Sequence, residues 1–114
     1  MDGAELILLY DYYGDLLTQR QRECLELRYN QDLSLGEIGE ELGISRQGVF
    51  DNLSRAEALL KNMEEKTGCV SRDLKCRNSA KKIARFAAIL AQNPDTDVSN
   101  LAREILSLAQ SLEE

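Results

Sequence analysis

Apolar residues recur every three or four positions along almost the whole chain, the spacing that keeps side chains on one face of an α-helix. Leu6, Leu9, Tyr10, Tyr13 and Leu17 make the first stripe, with Asp11 and Asp15 outside it, and predict a helix from about Ala4 to Leu16. Tyr10, Tyr12 and Tyr13 are expected to pack that helix onto the next one, with their hydroxyls at the rim. Thr18-Gln19-Arg20-Gln21 has the form of a capping box, in which the Thr hydroxyl accepts from the Gln21 amide and the Gln21 side chain reaches back. The second helix then runs through Cys24, Leu25 and Leu27 and ends at Asn30-Gln31-Asp32.

Ser34-Leu35-Gly36-Glu37 is a second capping box and opens a third helix with Leu35, Ile38 and Leu42 inward. Gly43 stops that helix in the left-handed conformation glycine adopts cheaply. Ser45 is the cap of a fourth helix whose stripe, Val49, Leu53, Ala56, Leu60 and Met63, carries it from Arg46 to about Lys66, where Thr67-Gly68 ends it. A fifth helix is expected from about Ser71 to Gln92, with Ile83, Phe86, Ala87 and Leu90 as its apolar face, up to a break at Asn93-Pro94-Asp95. A sixth begins with Asp97 as cap, and its seam of Val98, Leu101, Ile105, Leu108 and Leu112 wants a partner helix. That partner is the fifth helix of the same chain or a second copy, and the long fourth helix tilts the reading towards a homodimer.

The predicted fold class is all-α. A helix-turn-helix domain over residues 1–67 has a three-helical core, winged-helix-like without the wing, and a long recognition helix; residues 68–114 form a C-terminal helical hairpin. Within the motif, Gly39, Leu42, Ile44, Val49 and Leu53 stand where two steeply crossed helices must meet, and Gly39 allows a close approach. The outward face of the fourth helix is then Arg46, Gln47, Phe50, Asp51, Ser54 and Arg55. Arg46 and Gln47 lie in the first turn, the part that reaches base edges in a major groove, where Arg suits guanine and Gln adenine. Asn52 and Arg55 extend the candidate nucleic-acid surface, and Ser45, Thr18 and Arg20 are candidates for holding phosphate beside the helix N-termini.

Charge complicates that reading. The 114 residues carry 14 basic and 20 acidic side chains, a net charge of −6 that works against non-specific binding to a polyanion. Residues 34–67 hold four bases and seven acids, net −3, and Glu37, Glu40, Glu41 and Asp51 would each repel phosphate. The basic block lies elsewhere: residues 68–92 hold six bases and one acid, net +5. Lys75, Arg77, Lys81, Lys82 and Arg85 in that block are candidates for contact with RNA or a protein partner, or form a solvated face paired with acidic neighbours.

Composition narrows the classes further. The chain is 43% apolar and 30% charged, a folded and well-solvated balance. Its longest apolar run, Leu6 to Tyr10, is far short of the roughly 20 residues of a membrane helix, and the acidic start, Asp2 and Glu5, is unlike a signal peptide; a cytoplasmic protein without membrane contact is expected. The three cysteines, Cys24, Cys69 and Cys76, are odd in number, and with no histidine they make neither a disulfide framework nor a zinc knuckle. Reduced thiols are expected, with Cys24 packing as a small apolar residue. The missing histidine removes the commonest general base, and no P-loop, GxSxG, GxGxxG or HExxH is present. No enzyme activity, cofactor or metal is implied.

Residues 17–67 resemble the YlxM family of small bacterial helix-turn-helix proteins, encoded beside the signal recognition particle GTPase. The resemblance rests on Leu17-Thr18, Leu27, Tyr29, Asp32-Leu33-Ser34-Leu35-Gly36-Glu37-Ile38, Ser45-Arg46-Gln47, Val49, Asp51-Asn52 and Glu64-Glu65-Lys66, and the Tyr12-Tyr13 region also fits. The motif is similar, more broadly, to region 4 of sigma factors. The resemblance implies a cytoplasmic, non-enzymatic regulatory protein, a helical fold that can dimerise, and signal recognition particle components as partners. This chain departs from the pattern at Gly39 and Gly48, where the family usually has alanine, and at Phe50, where it has tyrosine. Three functions follow as expectations: DNA binding through the fourth helix, protein interaction that modulates the targeting GTPases, and RNA contact through the basic fifth helix.

Overall fold

A computed structural model describes residues 3–113. Among these, six α-helices and one 3₁₀ turn follow one another, with no strand: α1 (Gly3–Tyr13), the 3₁₀ turn (Gly14–Leu16), α2 (Gln19–Tyr29), α3 (Leu35–Leu42), α4 (Arg46–Thr67), α5 (Cys69–Leu90) and α6 (Thr96–Glu113). One compact unit ends at Val70 and a second begins at Ser71.

The first unit is organised around α4. Its buried stripe, Val49, Leu53, Ala56 and Leu60, forms one core with Leu6, Leu9, Tyr13 and Leu17 of the first segment, Cys24, Leu25 and Leu27 of α2, and Ile38 of α3. Ile38, Val49 and Leu60 are wholly buried, as is Cys24, which packs as a small apolar side chain with its thiol pKa pushed up by burial. α1 is shorter than its stripe predicts: the last turn tightens into 3₁₀ at Gly14, where the Tyr10 ring lies 3.2 Å from the position of an added Cβ.

The tyrosines do not all face the next helix. Tyr10 donates to Glu26 Oε1 of α2 at 2.8 Å, as expected, but Tyr13 reaches α4, with its hydroxyl 2.8 Å from Glu64 Oε1 and 2.6 Å from Thr67 Oγ1. Tyr12 is exposed. A tyrosine outside the predicted set, Tyr29, donates to Glu57 Oε1 of α4 at 2.8 Å, and burial followed by this hydrogen bond raises its pKa. Phenol–carboxylate bonds therefore join α1 to α2, α1 to α4 and α2 to α4.

Both capping boxes form, Thr18 with Gln21 and Ser34 with Glu37, each accepting at 3.1 Å from its N3 amide. Gly43 ends α3 at φ 71°, ψ 32°. A Cβ on Gly39 would stand 2.7 Å from the Ile44 carbonyl oxygen, so the close approach is to the backbone of the turn rather than to α4 itself. Asp32, at φ 56°, takes the left-handed region in the loop before α3, where aspartate is among the tolerated side chains.

The second unit differs from expectation at both helix starts. α5 begins two residues early, because Glu64 Oε1 accepts from the Val70 amide at 3.0 Å and Thr67 Oγ1 from the Cys69 amide at 3.3 Å; only left-handed Gly68 separates it from α4. α5 stops at Leu90 rather than Gln92. The cap of α6 is Asp95, not Asp97: Asp95 Oδ1 accepts from the Asp97 and Val98 amides. Of the expected apolar positions in α5 and α6, Ala87 is buried and the others are not. Ala80 and Ala87 of α5 and Ser99, Ala102 and Ala109 of α6 are buried, whereas Ile83, Phe86, Leu90, Leu101, Ile105, Leu108 and Leu112 are exposed and Val98 is half-buried.

Any side chain at Gly39, alanine included, must displace the turn backbone. Gly39→Val is expected to lower stability by about 3 kcal/mol, an overpacking cost read as a fall in thermal midpoint of roughly 10 °C. Gly39→Ala is expected to lose far less, because the helix-propensity gain of about 1 kcal/mol offsets a small outward shift of the turn.

Candidate nucleic-acid interface

The turn between α3 and α4 sets what faces solvent. The Ile44 amide donates to the Gly39 carbonyl at 3.0 Å, and the Ser45 hydroxyl accepts from the Gly48 amide at 2.9 Å, so α4 starts at Arg46 with its first turn outward. An added Cβ on Gly48 would stand 3.2 Å from the Ser45 Oγ, close enough to press on the cap, and otherwise meet the Ile44 side chain.

Arg46, Gln47, Phe50, Asp51, Ser54 and Arg55 are all exposed on α4. Arg46, Gln47 and Phe50 line an open cleft with Leu35 of α3. Phe50 is 52% exposed, a large apolar surface in the middle of a polar face. Among the described residues, Arg46 and Arg55 have neither a hydrogen bond nor an ion pair from their side chains. Gln47 Nε2 donates to Asp51 Oδ1 at 3.0 Å, which steadies the amide one turn from the helix start.

The other sequence candidates have structural partners. Asn52 is half-buried and its Nδ2 donates to the Gly48 carbonyl at 2.8 Å, so it turns back on its own helix instead of joining the outward face. The Thr18 and Ser45 hydroxyls cap their helices, accepting from the Gln21 and Gly48 amides. Arg20 Nη1 donates to the Leu42 carbonyl at 3.1 Å and lies 3.7 Å from Glu23 Oε2, placing a cation on the C-terminal end of α3. Sequence reasoning did not single out Arg28, whose Nη1 donates to the Leu33 carbonyl at 2.9 Å and pins the loop that leads into α3. An arginine that seals a carbonyl a few residues beyond its own helix leaves no periodic signature.

The acidic side chains of α3, Glu37, Glu40 and Glu41, are exposed and line a separate depression with Leu33. The backbone amide of Ser34, then its side chain, holds the Glu37 carboxyl below its ordinary value of 4.5. On α5, Lys75, Arg77, Lys81, Lys82 and Arg85 are all exposed, with Arg77 Nε 3.1 Å from Asp73 Oδ2 and the Arg85 guanidinium 5.4 Å from the Phe86 ring centre. No cluster of three or more potential metal ligands exists among the described residues, and no helix among them is long and apolar enough to cross a membrane.

The family model described as "Putative helix-turn-helix protein, YlxM / p13 like" matches residues 2–96 of this chain. The chain belongs to that family. A family member from Acetivibrio thermocellus, a UPF0122 protein, is 46% identical over 110 residues, covering 96% of this chain and 89% of its own length. A UPF0122 protein of a Thermoanaerobacter species is also 46% identical, over 114 residues, 99% of this chain and 95% of its own. One from Halalkalibacterium halodurans is 38% identical over 106 residues, 92% and 88% of the two chains. The family match thus takes in the whole motif and α5, and stops at the first residue of α6.

Two measurements separate scaffold from surface. Arg20→Ala should lower stability by about 1 kcal/mol, because the Leu42 carbonyl loses its partner, while Arg46→Ala should leave the thermal midpoint within about a degree. Because the Glu37 pKa is depressed on folding, its stabilisation is complete above the ordinary carboxylate pKa and is lost as pH falls through the lower folded value. In Glu37→Gln the acid-side slope of an unfolding titration should therefore be shallower.

Proposed function

We propose that this chain is a DNA-binding regulatory protein that lays the first turns of α4 in a major groove. The observation that carries the reading is the solvent face of α4, on which Arg46 and Arg55 stand without partners on either side of Gln47 and Phe50. An unpaired arginine in the first turn of such a helix is placed to pair with guanine, and Gln47 with adenine once it releases Asp51. Phe50 offers apolar contact to a thymine methyl. The first amides of α4 that the Ser45 cap leaves free add a phosphate contact that needs no lysine.

The acidic surroundings imply few phosphate contacts and therefore selectivity over bulk affinity. On duplexes selected from a random pool, affinity should fall with a log–log salt slope of roughly −2 to −3, the signature of two or three neutralised phosphates. Arg46→Ala combined with Gln47→Ala should cost at least tenfold on the selected sequence. Unchanged affinity in that variant would remove direct readout by α4 from consideration.

A second reading is supported by α5, where Lys75, Lys81, Lys82 and Arg85 are exposed and Arg77 is paired to Asp73. Such a face suits RNA, and the resemblance that links the family to the signal recognition particle makes an RNA-built particle and its GTPases the partners to try. Lys81→Glu with Arg85→Glu should abolish RNA retention and leave duplex DNA affinity as it was; the opposite pattern favours the first reading.

A further inference from the structure

A cavity opens between α1 and α2, and none of the residues that line it belongs to α4. Its floor is Leu6 and Leu25, which are 2% and 3% exposed. The rings of Tyr10 and Tyr29 line it, and its polar edge is Asp11, Glu26 and Asn30. Both rings are already fixed. The Tyr10 hydroxyl donates to Glu26 Oε1 and the Tyr29 hydroxyl to Glu57 Oε1, each at 2.8 Å. The cavity is therefore preformed, held open by the bonds that join the helices, as small-molecule sites usually are.

The lining holds two carboxylates and no base. Among the described residues the Asp11 side chain has neither a hydrogen bond nor an ion pair, and Glu26 engages one oxygen, with Tyr10. The arginines of α2 are committed elsewhere. Arg22, one turn before Glu26, has its Nη1 3.4 Å from Asp15 Oδ1, and Arg28 Nη1 donates to the Leu33 carbonyl. Residues 1–16 hold four acids and no base. The cavity thus combines two negative charges with two electron-rich rings and an aliphatic floor. An acidic patch on an open surface attracts only a hydrated counterion. Rings and floor add attraction for a cation that carries its own hydrocarbon.

Size narrows the class. The cavity volume is about 60 Å³. A water occupies about 10–15 Å³ on that measure, so the space takes roughly four to six non-hydrogen atoms. A nucleotide or a sugar is too large. A four-carbon chain with an ammonium group at each end fits. We propose that this cavity binds a short linear aliphatic diamine, its methylenes on Leu6, Ile7 and Leu25 and its two ammonium groups beside Asp11 and Glu26. The charge count selects the dication: one ammonium matches one carboxylate and leaves the other unmatched, and a neutral chain matches neither. Because the ligand touches both helices, its binding stabilises their packing by mass action.

Titration of 1,4-diaminobutane into the nitrogen-15-labelled full chain tests this at pH 7, where both amines are charged. Amides of α1 and α2 around the cavity should shift and saturate with a dissociation constant of about 1–10 mM, in keeping with six atoms held by partly solvated charges. Sodium chloride at matched ionic strength should not reproduce those shifts. Asp11→Asn and Glu26→Gln should each weaken binding about fivefold. Neither variant should disturb the fold, since Asp11 has no partner to lose and the Gln amide oxygen still accepts from Tyr10. The uncharged 1,4-butanediol should give no saturable shift, and Nα-acetyl-lysine amide, with one ammonium, should bind at least about fivefold more weakly than the diamine. No saturation up to about 50 mM diamine, or shifts that persist in the doubly substituted protein, overturn the inference. Equal binding of the lysine amide overturns the free diamine as occupant and assigns the cavity to a lysine side chain.

Discussion

The motif depends on one short distance, the 2.7 Å that would separate a Cβ at position 39 from the Ile44 carbonyl. With no side chain there, the chain turns back across the end of α3, and left-handed Gly43 supplies the sharp reversal. The Ser45 cap then starts α4 in a fixed direction. Ile38 and Val49 are fully buried on either side of this corner, and Arg46 and Gln47 are outside it. Orientation of the outward face is thus a backbone property of six residues, 39–44, before any side chain on α4 contributes.

What was legible in the sequence follows the range of the interaction that determines it. Capping boxes act between a residue and the one three positions on, so Thr18 with Gln21 and Ser34 with Glu37 could be read directly. The left-handed glycines and the stripe of α4 are equally local. Asp95 and Asp97 both sit near a helix start and look alike as caps; the Asn93 side chain, which accepts from the Asp95 amide, decides between them by folding the chain one turn earlier. The start of α5 was missed because its capping groups, Glu64 and Thr67, belong to the preceding helix.

The larger failure was in which face of the hairpin is buried. A seam of Ile, Leu and Phe reads as core by hydrophobicity, yet the buried positions of α5 and α6 are alanine and serine. At the candidate interface the exposed set on α4 was legible from the 3.6-residue period. The roles of Arg20, Asn52, Thr18 and Ser45 were not, since each polar group can satisfy the protein's own backbone as readily as a phosphate.

The three phenol–carboxylate bonds differ in kind from the exposed ion pairs Arg20–Glu23 and Arg22–Asp15. Each is a short contact between a neutral donor and an anion, exposed at Tyr10 and partly buried at Tyr13 and Tyr29, whereas pairs of solvated opposite charges fade as counterions accumulate. Rising electrolyte would therefore loosen the surface ion pairs well before the bonds that hold α1 and α2 against α4.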